Sequence, residues 1–206
     1  MDIETAPGLH FRARNAGTDG GREVLLLHGF AQTSRCWAAQ LGALAAAGYR
    51  AVAFDHRGYS PDARPKRVEA YKPAELVADV LAVAGALGFD EFDLVGHDFG
   101  GMVAWMVAGH HPDRIRTLTV ASTPHPAAFR SSYRDAEGDQ NKRSSYMRSF
   151  REAERGSVGH WIPELAADAF TKLLLHTSPT TGSRRAGSRM MFYNADGFLR
   201  RERGAV

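Results

Sequence analysis

One cysteine, Cys36, is all that this 206-residue chain contains. No internal disulfide can form, and a lone thiol fits a reducing compartment. Long apolar runs are also missing: none approaches the roughly 20 residues that a membrane-spanning helix needs. The opening residues, Met1-Asp2-Ile3-Glu4, have neither the basic nor the apolar region of a signal peptide. A soluble, cytoplasmic chain with no membrane partner is expected. A dominant charge of either sign is missing as well, with 26 Lys and Arg against 23 Asp and Glu. The net charge is +3, and no basic helix face recurs at regular spacing, which argues against nucleic acid as a partner. No His/Asp/Glu set has a ligand spacing such as H-E-x-x-H, and no strand leads into G-x-G-x-x-G. Neither a metal nor a cofactor is expected.

What remains is ordinary globular material, 44% apolar and 24% charged, enough for one domain or one domain with an appendage. Leu9 to Asn15 alternates as a strand does. Glu23 to Leu27 is the nearly continuous apolar run of a strand buried on both faces. Thr33 or Ser34 can cap a helix from about Cys36 to Ala47, which Gly48 closes. Tyr49 to Phe54 is the next strand. Pro73 suits the first turn of a helix whose apolar face carries Leu76, Val77, Val80, Leu81, Val83 and Leu87, and Gly88 ends it. Phe92 to Val95 and Ile115 to Val120 are further strands, separated by a helical pattern from Met102 to Gly109. Strands alternating with helices predict an α/β fold with an open, mostly parallel sheet and flanking helices. Chemistry in such sheets sits at the carboxyl ends of the strands, where His28, Asp55, Asp98 and Ser122 all fall. Beyond about residue 127 the strand patterns vanish. Ile162 to Leu175 reads as a helix, Met190 to Tyr193 as a short apolar patch, and the end is polar and arginine-rich.

The stretch Val95-Gly96-His97-Asp98-Phe99-Gly100-Gly101 organises the rest. A strand, a sharp turn and a helix meet there with the spacing G-x-nucleophile-x-G, and Asp98 stands at the centre. A Cβ at Gly96 or Gly100 is expected to collide with the opposite arm of the turn. Strain in the turn then holds the Asp98 carboxylate up at the end of the sheet. The N–H of Phe99, at the helix N-terminus, points at whatever Asp98 attacks. The same residues also suit an ordinary helix N-cap, a position that Asp fills well.

Taken together, these segments resemble the α/β-hydrolase fold, and within it the epoxide hydrolase and haloalkane dehalogenase branch. His28-Gly29-Phe30 resembles that family's oxyanion-hole loop, and Asp55-x-Arg57-Gly58-Tyr59-Ser60 its D-x-R-G-x-G/S segment. Gly96-His97-Asp98-Phe99-Gly100-Gly101 resembles its aspartate-type elbow, and Thr123-Pro124-His125-Pro126 the segment leading into a helical cap. The resemblance runs from about Leu9 to Phe129. It implies residues 1–127 as the N-terminal part of the hydrolase core and 128–206 as a helical cap region with an irregular basic tail.

The resemblance further implies that Asp98 opens an epoxide to give an ester, which a His-activated water hydrolyses. A carboxylate attacks an activated sp³ carbon well once desolvated and aligned. The N–H groups of Phe30 and Phe99 would form the oxyanion hole. Tyr146 and Tyr193 resemble the two cap tyrosines that hydrogen-bond the epoxide oxygen. His28 and His97 flank the site and stand as its substrate-binding candidates, although within the motifs their roles are structural. The implied partner is a small molecule of the epoxide or alkyl halide class. A haloalkane or haloacid dehalogenase is the alternative. Phe30 and Phe99 occupy the positions where that branch carries halide-binding Asn and Trp, and neither can donate a side-chain hydrogen bond.

The family's general-base His and its orienting acid normally follow the cap. No residue here fills either place. The alternative acid position holds Ser122 and Thr123, and His160 or His176 could serve only with a rearranged topology. The expectation is a chain truncated after the cap, lacking its final strands and leaving an apolar sheet edge exposed. A third reading follows: a fragment that does not turn over, binding a small apolar ligand or pairing with another chain across that edge.

Overall fold

The computed structural model describes residues 1–135, 138–145 and 190–193. Among the described residues, seven strands form one sheet: β1 (Asp2–Ala6), β2 (Leu9–Ala16), β3 (Arg22–Leu27), β4 (Tyr49–Phe54), β5 (Phe92–His97), β6 (Ile115–Ala121) and β7 (Met190–Tyr193). Their spatial order is β1-β2-β4-β3-β5-β6-β7. β1 and β2 run antiparallel, as do β2 and β4, and every later pair is parallel. The helices α1 (Ala38–Ala46), α2 (Pro73–Ala86) and α3 (Phe99–His110) connect the parallel strands. The α/β architecture expected from the alternating patterns is the one observed.

The apolar runs explain the layering. In β3, Leu25 and Leu27 pack into the cluster that holds Leu76, Val80 and Val83 of α2 and Val103 and Val107 of α3. Val24 and Leu26 point the other way, into a cluster with Leu41 and Leu44 of α1 and with Trp37. A strand buried on both faces needs this continuous apolar sequence. Each such Leu or Val contributes about 1.5–3 kcal/mol through burial. Local signals set the helix ends. Thr33 accepts from the Arg35 N–H and starts a 3₁₀ turn, Ser34–Trp37, ahead of α1. Pro73 opens α2, and Gly88 follows that helix at φ +72°, where glycine is favoured.

Two strands depart from the sequence expectation. β1 alternates too briefly to stand out, and Ile3 is its only buried residue. Met190–Tyr193, read from sequence as an apolar patch, pairs with β6 in parallel register from Leu118↔Met190 to Ala121↔Tyr193. β7 thus covers β6 along that stretch and is itself the last strand of the open sheet among the described residues. Four residues within a Ser/Thr/Arg-rich segment carry too little period to announce a strand, and the pairing is decided by the partner.

The chain divides into two compact units. The first contains Met1–Thr123 together with β7, and the second begins at Pro124. Within the second lie α4 (Pro126–Arg134) and α5 (Gln140–Arg143). Among the described residues no helix is long and apolar enough to cross a membrane.

Candidate active site

Asp98 stands between β5 and α3 with φ 51° and ψ −117°. That region is nearly closed to residues with a side chain, and holding one there costs on the order of 1–3 kcal/mol. The surroundings over-determine it. The Asp98 N–H donates to the Ala121 carbonyl at 3.1 Å, and the Asp98 carbonyl accepts from the Met102 N–H at 3.1 Å. The Thr123 hydroxyl donates to the same carbonyl at 2.7 Å. The carboxylate makes no capping bond to α3, which removes the N-cap alternative. Its Oδ1 instead accepts from the backbone N–H of Phe30 at 2.9 Å.

The flanking glycines are sterically required, though not both for the expected reason. A Cβ on Gly96 would lie 2.6 Å from the Gly100 carbonyl oxygen and 2.7 Å from the Gly101 Cα, across the turn. A Cβ on Gly100 would strike the carbonyl oxygens of Leu27 and His28, at the end of β3, rather than the turn itself. Gly101 faces the Thr123 side chain, and a Cβ there would sit 2.6 Å from its hydroxyl. The expected collision with the opposite arm thus holds for Gly96 alone; Gly100 lets α3 approach the neighbouring strand.

The loop after β3 supplies the other half of the site. His28 is wholly buried. Its Nε2 accepts from the His56 N–H at 3.0 Å, so the ring hydrogen lies on Nδ1, which donates to the Gly29 carbonyl at 2.8 Å. Both ring nitrogens are committed to backbone, and burial pushes the His28 pKa down. Gly29 allows close approach: a Cβ there would lie 2.9 Å from both the Asp98 Cβ and the His97 Nδ1.

Three successive N–H groups then meet three different side chains. Gly29 donates to Gln32 Oε1 at 3.2 Å, Phe30 to Asp98, and Ala31 to the Tyr59 hydroxyl at 3.1 Å. Ala31 itself has φ 55°. His97, half-buried beside Asp98, bonds through Nδ1 to the same Gln32 Oε1 at 3.2 Å. An amide oxygen only accepts, so His97 carries its hydrogen on Nδ1. Burial lowers the His97 pKa, although the nearby Asp98 opposes this.

The segment after β4 braces this loop. Asp55 Oδ1 accepts from the Ser34 N–H at 2.7 Å. The Arg57 guanidinium pairs with Asp79 of α2 through two hydrogen bonds. Ser60 accepts from the Arg12 N–H at 2.8 Å and donates to the His10 carbonyl at 3.0 Å. His56 is fully buried against the rings of His28, Phe54 and Phe99, its Nε2 has no hydrogen-bond partner, and burial drives its pKa far down.

Asp98, Phe30, Phe99, His28 and His97 are thus brought to one end of the sheet. Phe99 is half-buried at the first position of α3. Tyr193 is placed by backbone only, opposite Ala121 in register. Tyr146, His160 and His176 lie outside the described residues. Among the described residues no group of three or more His, Cys, Asp or Glu side chains could hold a metal ion. Sequence reasoning missed Gln32, Tyr59 and His56 as parts of the site. Tyr59 and His56 lie within the D-x-R-G segment, but nothing in that segment says which loop they touch.

The family model for the alpha/beta hydrolase fold matches residues 23–160. Epoxide hydrolase 4 of Mus musculus is 34% identical over 198 residues, covering 93% of this chain and 52% of the relative. Epoxide hydrolase B of Mycobacterium tuberculosis is 41% identical over 116 residues, 56% of this chain and 33% of that protein. A solved epoxide hydrolase from hot-environment metagenomes superposes with a TM-score of 0.69 at 29% identity, covering 90% of this chain and 60% of the other. The Bacillus megaterium epoxide hydrolase, solved with an inhibitor, gives 0.69 at 28% identity, covering 85% and 59%. The chain spans about half the length of the mouse and human relatives that it matches over 93% of its own.

Proposed function

The chain belongs to the α/β-hydrolase fold family, and from that premise we propose an epoxide hydrolase-like chemistry in which Asp98 is the nucleophile. The observation that carries this reading is the Asp98 carboxylate, raised on a strained turn, with Oδ1 held by the Phe30 N–H at 2.9 Å. One oxygen is thereby fixed and the other is left to attack. It forms a bond to an epoxide carbon as the ring C–O bond breaks, and the ring oxygen takes up a proton. Tyr146 and Tyr193 are the proposed donors of that proton.

The product is an ester on Asp98. When water attacks its carbonyl carbon, negative charge develops on the oxygen that faced Phe30. The N–H groups of Phe30 and Phe99 are the proposed oxyanion donors, a role worth about 3–4 kcal/mol per donor where such donors have been removed. The unit that begins at Pro124 is proposed as part of the family's helical cap region, and the substrate as a small molecule. A departing halide needs a side-chain donor, which Phe30 and Phe99 lack, so the epoxide reading leads.

Intact-protein mass after incubation with styrene oxide tests the proposal, with Asp98→Ala treated in parallel. The expected result is one covalent equivalent on Asp98, or diol in the same tube, with both absent in the variant. Neither adduct nor diol from the unsubstituted chain overturns it.

A further inference from the structure

Two side chains outside the family motifs' reacting positions hold the loop that carries the Phe30 N–H. Resting on the Asp98 reading, we propose that Gln32 and Tyr59 are positioning residues: together they aim that N–H at the oxygen of Asp98 on which charge develops. Gly29, Phe30 and Ala31 present consecutive N–H groups, a concave arrangement of donors that suits an anion. Left alone it is unstable, since the buried Gly29 N–H needs an acceptor and Ala31, itself exposed, sits at φ 55°, where a residue with a Cβ is strained. The two outer donors are taken by Gln32 Oε1 and the Tyr59 hydroxyl at 3.2 and 3.1 Å. The middle donor, the Phe30 N–H, faces Asp98 at 2.9 Å.

Each clamp is itself anchored. Gln32 Oε1 is shared with His97 Nδ1, and the Gln32 N–H donates to the Gly29 carbonyl at 3.2 Å. The Tyr59 ring packs edge-on against His28, with centroids 4.8 Å apart. The outer donors are therefore tied to β5 through His97 and to the segment after β4 through Tyr59. Neither clamp supplies charge to the reaction. Each acts through the direction of one N–H bond.

This role affects the two chemical steps differently. During attack on the epoxide, Asp98 loses negative charge, so the Phe30 bond weakens toward the transition state. During attack on the ester, charge grows on the oxygen that the N–H faces, so the bond strengthens. Losing a clamp slows ester breakdown more than ester formation. A side chain that merely supported the fold would not separate the steps.

The experiment uses the whole chain and intact mass. Styrene oxide builds the Asp98 ester, excess epoxide is removed, and hydroxylamine is added. Its nitrogen attacks the ester carbonyl through the same oxyanion. The alkoxide leaves as the diol with a proton taken from nitrogen, and Asp98 remains as the hydroxamate. No protein base is required. Tyr59→Phe and Gln32→Met remove one acceptor each. In both, the ratio of breakdown rate to formation rate falls about tenfold, less than for outright removal of a donor. An unchanged ratio in Tyr59→Phe and Gln32→Met overturns this inference and leaves the Asp98 reading standing. Absence of any adduct in the unsubstituted chain, with no diol formed, overturns both.

Discussion

The Phe30 N–H and the Asp98 Oδ1 lie 2.9 Å apart although 68 residues separate them in the chain. The hydrogen bond joins the loop after β3 to the turn after β5, two parallel neighbours in the sheet. Everything proposed for the site depends on this one approach, and Gly29 is what permits it.

Gly29→Ala is the first test of that dependence. The added methyl would lie 2.9 Å from the Asp98 Cβ and from the His97 Nδ1, so the loop or the carboxylate must shift. A displacement approaching 1 Å at a reacting group costs on the order of a hundredfold in rate. Asp98 alkylation by styrene oxide, followed by intact mass, is expected to fall by about that factor while far-ultraviolet circular dichroism retains the native helix signal.

Acid should destabilise the chain earlier than its carboxylates alone would require. Burial lowers the pKa of His28, His56 and His97 in the folded state, whereas the unfolded chain regains the ordinary value near 6.5. Below that pH the unfolded state binds protons that the folded state refuses. Stability is full above about 6.5 and falls as pH drops, with a limiting slope of about 4 kcal/mol per pH unit if all three contribute. Urea midpoints at pH 7.5 and 5.5 check this, and equal midpoints would contradict it.

Arg57 and Asp79 join the segment after β4 to α2, with side chains 9% and 5% exposed. Removing one charge from such a pair leaves the other buried without a partner, at a cost of about 3–5 kcal/mol. Arg57→Met is expected to lose about that much stability in urea denaturation. The double variant Arg57→Met with Asp79→Leu should recover most of it, because the penalty lies in the orphaned charge.

Cys36 is expected to be inert while the chain is folded. Burial raises its pKa to about 12, so almost no thiolate exists at neutral pH, and the thiolate is the reactive form. A chromogenic disulfide reagent at pH 8 should label it slowly in buffer and rapidly in urea. Equal rates would contradict the burial argument.

The legible parts of this protein share one property: their determinants are close in sequence. The elbow needs Gly96, Asp98 and Gly100 within five residues, and the buried strands show themselves as runs such as Val24 to Leu27. The boundaries of α2 follow from Pro73 at one end and Gly88 at the other. The sheet was expected as mostly parallel because strands and helices alternate, and that alternation is local. The strain at Asp98 could also be anticipated, since the turn leaves a residue with a Cβ no relaxed alternative.

Tertiary structure alone decided the rest. Gln32 is one polar residue of a loop until His97, 65 residues away, bonds to its oxygen. Tyr59 is part of a turn until its hydroxyl receives the N–H of Ala31, 28 residues earlier. Gly100 was expected to face its own turn, yet it faces β3. Met190–Tyr193 has too little period to be read as a strand and becomes one only beside β6. Short-range sterics and periodicity are written residue by residue and determine strands, helices and the strained turn. Which donor meets which acceptor is settled when the sheet brings distant loops together, because a buried polar group must find a partner and only the packed chain says which partner is within reach.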